Sequence, residues 1–311
     1  MPYFINVIFN ILTSGLPCCI LALGIFLTYR LLDFADLTAE GSFLIGGALA
    51  TSLISIGVNA YIATFLAIIA GGICGLITAL LHTKLNIPKL LSGIITLTAT
   101  SSIALLIIGI SDKNSIFKNL VTLAIDDKTI YSLFYISDAP KYNLYIETIV
   151  MIVFVIITSL IIYYFFGTEY GMAIRATGMN ETMAKAQGIN SKLAIIICVG
   201  LSNALIALAG AMFAQDRLSM DIKGSSGFLV IGLASILIGE AIFGNKTFKS
   251  NLISVVLGAI LYFVIITLAI EFGFPTELKN LLYAFLIALA LCLPTIKNHI
   301  KKGDKAHVKN Q

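Results

Sequence analysis

A chain of 311 residues that is 59% hydrophobic and only 12% charged, with a mean hydropathy of +0.99, lies far outside the balance of soluble domains. Its formal net charge of +4 comes mostly from the tail after Lys297, which reports orientation and lipid contact and does not indicate nucleic-acid binding. Uninterrupted apolar runs long enough for a ~30 Å hydrocarbon core indicate helices, because a barrel would show short alternating segments; the fold class is an all-α integral membrane protein.

In chain order the runs predict about nine spans, near 5–27, 41–57, 60–82, 89–111, 145–166, 193–213, 228–243, 251–270 and 280–296, and so a single permeation-type domain over 1–296 with a basic tail at 297–311. The N-terminus lacks the basic region and cleavage site of a signal peptide, so the first run is read as a retained span. The polar joints then alternate sides. With a cytoplasmic tail, 28–40, 83–88, 167–192 and 244–250 are also cytoplasmic, and that side holds 12 Lys and Arg, or 13 with Lys89, against seven outside. This bias predicts an exterior N-terminus.

Before the second span, Asp33, Asp36 and Glu40 fall at three- and four-residue spacings, which predicts one shared helical face with Arg30 as the nearest cation. Two readings stand for this acidic stretch: a broken helix lining a solute path, or a solvated helix entry whose acids favour the dipole. Gly71 and Gly75, like Ala207 and Ala211, have the small-xxx-small spacing of close helix packing. The loop at 111–142 is the longest exterior segment; its Tyr131, Phe134 and Tyr135 suit interfacial anchoring or a docked partner.

The interval Gly167–Lys192, GTEYGMAIRATGMNETMAKAQGINSK, is polar between two long apolar runs, so both its ends are fixed at one bilayer face. Asn180 as N-cap, helix formers over 181–187 and a stop at Gly188 and Asn190 predict one short helix on the membrane surface. Ala184, Ala186 and Gly188 would let another protein approach closely, although an ordinary amphipathic surface helix has the same composition.

Sliding the chain by ~185 residues lays Asp36 on Asp221, Phe43 on Phe228 and Gly47 on Gly232 without a gap, which predicts an internal repeat, inverted in the membrane. In the second copy the span is preceded by its own polar stretch, Asp216 to Ser226. No chemistry of covalent catalysis is visible. His82, His299 and His307 lack neighbouring metal ligands, and the cysteines Cys18, Cys19, Cys74, Cys198 and Cys292 sit in apolar runs as packing residues. Gly239 to Thr247 approaches a phosphate loop, but Asn245 breaks its spacing and the segment follows an apolar span. Charges deep in the spans are scarce, which favours an energy source on a separate subunit over ion coupling.

Gly171-Met172-Ala173-Ile174-Arg175-Ala176-Thr177-Gly178-Met179-Asn180 with Gly188-Ile189-Asn190, Asn86-Ile87-Pro88, Ala207 to Ala211, and Asp36-Leu37-Thr38-Ala39-Glu40-Gly41-Ser42-Phe43 together resemble the branched-chain amino acid and ribose class of ABC importer permeases. The Asp-Leu-Thr-x-Glu-Gly-Ser-Phe form is most similar to the subgroup associated with tryptophan or tyrosine uptake. The resemblance implies a transport subunit of a bacterial plasma membrane that is not itself an enzyme and holds no cofactor. Its partners would be a second permease copy, two ATP-binding subunits carrying ATP and magnesium, an exterior solute-binding lipoprotein and membrane lipid. It further implies that Arg175, Thr177, Gly178, Asn180, Glu181, Ala184, Lys185, Ala186 and Gly188 contact the ATPase, and that Asp33, Asp36, Thr38, Glu40, Ser42, Asp221, Ser225 and Ser226 border the path. An ion-coupled carrier working alone is the alternative.

Overall fold

The computed structural model describes residues 2–111, 120–124, 128–134, 143–222, 227–244 and 247–274, with a few positions between 278 and 288. The helices are α1 (Pro2–Phe26), α2 (Thr38–Ser55), α3 (Ala60–Leu85), α4 (Lys89–Ser111), α5 (Asn143–Phe165), α6 (Glu169–Met179), α7 (Glu181–Ala186), α8 (Ser191–Asp216), α9 (Phe228–Phe243) and α10 (Phe248–Glu271). Six of them, α1, α3, α4, α5, α8 and α10, are long and apolar enough to cross a membrane. Eight of the expected spans coincide with helices, but α2 and α9 run for only 18 and 16 residues. The expected span at 280–296 and the tail at 297–311 lie almost wholly outside the described residues, so among these the count is six full spans and one shorter apolar helix, α9, besides α2.

Helix α8 is the centre of the bundle, packing against α1, α2, α3 and α6. Its small residues explain why. In lipid no hydrophobic force drives one apolar helix onto another, so backbones must come close enough for dispersion contacts. The two small-xxx-small pairs touch at one point: a Cβ on Gly71 of α3 would collide with Ala207 of α8, while one on Gly75 would collide with the Val199 carbonyl and the Asn203 side chain. Towards α2, Gly210 of α8 lies against the Phe43 carbonyl. Helix α5 has the opposite character, with Ile149, Val153, Ile156 and Ile161 exposed along one stripe, the surface expected against lipid.

Contacts between the joints define the two ends of the bundle. At one end Lys89 Nζ donates to the Asp33 carbonyl at 2.9 Å, the Phe34 ring meets His82 edge-on at 5.5 Å, Arg30 pairs with Glu240 at 2.9 Å, and the Arg175 guanidinium lies 5.1 Å over the Phe248 ring. This basic end therefore gathers the joints at 28–40, 83–88, 167–192 and 244–250, the grouping the alternation of spans requires. The opposite end carries a two-stranded antiparallel ribbon, β1 (Leu120–Thr122) on β2 (Ser219–Asp221), with Val121 facing Met220. Gln215 of α8 binds this cap to the bundle, accepting from Ile130 N at 3.0 Å and donating to Thr64 at 2.8 Å. Tyr131, considered above as an anchor or docking residue, is instead buried, its hydroxyl donating to the Met212 carbonyl; Phe134 is half exposed, and Tyr135 lies outside the described residues.

Candidate functional site

The site begins where α1 fails to continue. A five-residue π-turn, Leu27–Leu31, widens the end of the helix, and such turns mark positions where backbone groups are diverted to other partners. Phe34 N reaches back to the Thr28 carbonyl at 2.9 Å, while Ser202 of α8 donates to the Gly24 carbonyl at 2.7 Å. Asp33 then adopts a left-handed conformation, φ 50°. The reversal sends residues 34–37 back into the bundle, and α2 starts only at Thr38.

Asp36 is thereby buried at membrane depth. Its Oδ1 accepts from Thr38 N at 2.9 Å, capping the start of the helix, and its Oδ2 accepts from Asn203 Nδ2 at 2.7 Å. Asn203 Oδ1 accepts from Ser42 at 2.6 Å, and Asn203 Nδ2 also donates to the Val199 carbonyl. A second chain continues from Thr38, whose hydroxyl meets Thr78 at 2.7 Å, and Thr78 meets Thr96 at 2.8 Å. Asn203 lies twelve residues into α8 and Thr78 seven residues from the end of α3. At the rise of an α-helix these offsets place the cluster roughly 10–18 Å inside the basic end. A lone charge at such depth costs about 2.5–3.5 kcal/mol, and here two donors from different elements offset it.

The three acids therefore do not share a helical face, because two of them precede the helix. Asp33 is exposed, with its carbonyl held by Lys89. Glu40, in the first turn of α2, accepts from Gly227 N at 2.7 Å and so caps the start of α9. Arg30, expected beside the acids, is paired with Glu240 of α9 instead, as an ion contact without hydrogen-bond alignment. Thr38 and Ser42 belong to the buried cluster, while Asp221 is exposed on β2 at the opposite end. Ser225 and Ser226 lie outside the described residues. Asn203 and Thr78 were missed in the sequence; an uncompensated Asn in the middle of an apolar span was the available signal.

At the basic end, 167–192 forms two helices where one was expected. Thr168 caps α6 by accepting from Gly171 N at 3.4 Å, and Asn180 caps α7 by accepting from Met183 N at 3.1 Å. Gly188, with φ 83°, closes α7, and Ile189 N returns to the Ala184 carbonyl at 3.0 Å. Helix α6 carries Gly178 against the π-turn: a Cβ there would overlap the Leu31 carbonyl, so only glycine allows this approach. A cleft of about 190 Å³ runs between Phe34, Lys89, Gly178 and Glu181.

The surface facing away from the bundle consists of Met179, 89% exposed, Met183, 59% exposed, and the exposed Asn180, Lys185, Ala186 and Gly188. Glu181 pairs with Lys185 at 2.8 Å, and that hydrogen bond holds its carboxyl below the usual range. Thr177 and Ala184, expected on this surface, point inward; Thr177 donates to the Ala173 carbonyl, and Ala184 is the residue by which α7 is seated.

A bundle of full spans around a polar, re-entrant turn, with a surface helix pair resting on that turn, is the build of an integral membrane transport subunit. The chain belongs to the family described as branched-chain amino acid transport system / permease component, whose profile it matches over residues 7–291. It is similar to the tyrosine transport system permease protein of Clostridioides difficile, 33% identical with 96% of this chain and 94% of that protein covered. It also resembles the probable branched-chain amino acid transport permease protein of Methanocaldococcus jannaschii, 27% identical over 89% of this chain and 85% of that one. The ribose import permease protein of Escherichia coli K12 is 24% identical, with coverages of 83% and 76%. No solved structure matches.

Proposed function

We propose that this chain is the membrane subunit of an ATP-driven importer in a bacterial plasma membrane, taking up an amino acid or similar small solute delivered by an exterior solute-binding lipoprotein. The observation that carries the reading is the seat of Gly178 on Leu31. The helix pair α6–α7 rests directly on the turn that positions Asp36, so a push on α7 from the cytoplasm shifts the start of α2. Two ATP-binding subunits, one on each copy of a permease dimer, supply that push; ATP and magnesium belong to them. The exposed Met179, Met183, Asn180, Lys185, Ala186 and Gly188 are the docking surface. Thr177, Gly178, Ala184 and the Glu181–Lys185 pair hold it in place.

The inverted repeat enters the mechanism as the path. Helices α2 and α9 are both short, α2 follows the return at 34–37 and α9 comes after the strand β2, and residues that the ~185-residue shift equates meet: Phe43 stacks on Phe228 at 4.1 Å and 24°. Rocking these two half-helices about their shared contact exposes Thr38, Ser42 and Glu40 to alternate sides.

Uptake of labelled amino acids into vesicles containing the chain, its ATP-binding subunit and the solute-binding lipoprotein tests the reading. Uptake must require ATP and fall at least tenfold in Met179→Asp/Met183→Asp, while the permease remains folded. Uptake indifferent to ATP or to that variant overturns it. A second reading, an ion-coupled carrier, is favoured by one observation: the deep charge thought scarce is present at Asp36. Uptake by the chain alone in ATP-free proteoliposomes, driven by a proton gradient and lost in Asp36→Asn, would support it.

A further inference from the structure

At the basic end, between the last turn of α5, the start of α6 and the start of α10, lies an open cavity of about 490 Å³. Its edge carries two cations, Arg175 and Lys249, the side chains of Thr168 and Thr247, and the aromatic rings of Tyr163 and Tyr164. Among the described residues no acid lines it. Arg175 is fixed over the ring of Phe248 at 5.1 Å, so its guanidinium stays at the cavity with the N-terminus of α10 beside it. The Thr247 hydroxyl accepts from Ser250 N at 3.2 Å, and the earlier N–H groups of the helix have no intrahelical acceptor.

We propose that this cavity binds the headgroup phosphate of an anionic phospholipid. Three features select lipid over a soluble anion. The exposed stripe of α5, ending in Ile161 and the 72% exposed Tyr164, leads into the cavity from the membrane side. On α10 the exposed Ile253 and Leu257 form a second stripe one to two turns beyond Lys249. The acyl chains of one lipid thus have apolar surface on both helices while its phosphate meets Arg175 and Lys249. Tyrosines at this level are the expected interfacial neighbours of a headgroup. Arg175 serves the lipid in this arrangement, and the docking surface on α7 does not depend on it.

Native mass spectrometry of the full chain, purified in detergent and exposed to equal amounts of phosphatidylglycerol and phosphatidylcholine, tests the proposal. Two cations near the headgroup predict a preference of roughly tenfold to thirtyfold for phosphatidylglycerol. That preference is lost in Arg175→Gln/Lys249→Gln, kept in Lys249→Arg and weakened in Lys249→Glu. Excess inorganic phosphate or ATP leaves the bound lipid in place. Equal retention of the two lipids, or an unchanged preference in the glutamine variant, overturns the proposal. Displacement by inorganic phosphate or ATP makes the site one for a soluble anion and overturns it as well. Loss of the ATPase subunit from the glutamine variant with lipid retention unchanged would make the cavity a protein-docking surface. Should the double variant unfold, Lys249→Arg against Lys249→Glu decides the question alone.

Discussion

Exchange of the two partners at the centre of the buried cluster, Asp36→Asn with Asn203→Asp, is expected to restore what either change alone destroys. In the native pair Asn203 donates to Asp36 and accepts from Ser42, while Asp36 accepts from Asn203 and from Thr38 N. Asp36→Asn alone sets two amide donors against each other, so Asn203 must turn and abandon Ser42. Asn203→Asp alone sets two carboxylates side by side at membrane depth. A hydrogen bond to a charged group contributes about 1.5–3 kcal/mol, and leaving a buried polar group unpaired costs another 1–3; interhelical bonds in membrane proteins average nearer 0.6 kcal/mol. The single changes should therefore cost about 2–4 kcal/mol each, Asn203→Asp the more. The exchanged pair restores a donor between positions 36 and 203 and keeps the acceptors for Ser42 and Thr38 N, losing the bond from position 203 to the Val199 carbonyl, and should recover about half of the loss. No tryptophan is present to report unfolding, but Cys18, Cys19, Cys74 and Cys198 are all buried thiols, so a thiol-reactive dye follows denaturation directly. Single changes within ~0.5 kcal/mol of the native protein, or an exchange no better than the sum of its parts, would refute the cluster as the element that fixes the return of the chain.

Other expectations follow from the contacts at the basic end. Gly178→Val pushes a side chain into the Leu31 carbonyl and should abolish ATP-dependent uptake while ATPase binding survives, measured by co-purification and transport together. Gly188→Val meets open space within the chain but forces a left-handed φ of 83° on a branched residue, so it should cost about 1–2 kcal/mol in the same dye assay and, because Gly188 lies on the proposed docking surface, weaken co-purification of the ATPase. Glu240→Gln removes the mostly buried partner of the half-exposed Arg30 and should cost no more than about 1–3 kcal/mol in the dye assay. Because the Glu181 carboxyl is held below its ordinary value by Lys185, its stabilising contribution is complete above the unfolded pKa and fades only as pH falls through the lowered one. ATPase binding should accordingly be flat through neutral pH and weaken only below about pH 4; weakening between about pH 6 and 8 would assign the effect to another group.

The spans were legible because apolar runs of that length have one physical solution in lipid, and the α7 boundaries were legible because Asn180 and Gly188 are local signals that act within a turn. The packing of Gly71 and Gly75 on α8 was legible as a pattern, though not its partner. What remained hidden was the reversal after Leu31. The spacing of Asp33, Asp36 and Glu40 fits a helix, yet Asp33 takes a left-handed conformation and the tertiary partners Ser202, Asn203 and Lys89 hold the chain away from helical geometry. Those partners lie 56 to 178 residues distant in sequence, beyond any local pattern. Helix α6 was hidden for a related reason: Gly171 and Gly178 weaken helix propensity, and the close contacts that require them appear only in the fold.

The central claim is that α7 lies on the cytoplasmic surface where a partner ATPase drives it. Labelling of a single thiol at Met183→Cys, with the native cysteines replaced by serine, by a membrane-impermeant maleimide tests this most directly. Reaction in inside-out vesicles, absent in right-side-out cells and blocked when the ATP-binding subunit is bound, is the predicted result. Reaction from the outside, or no protection by the subunit, would contradict the account.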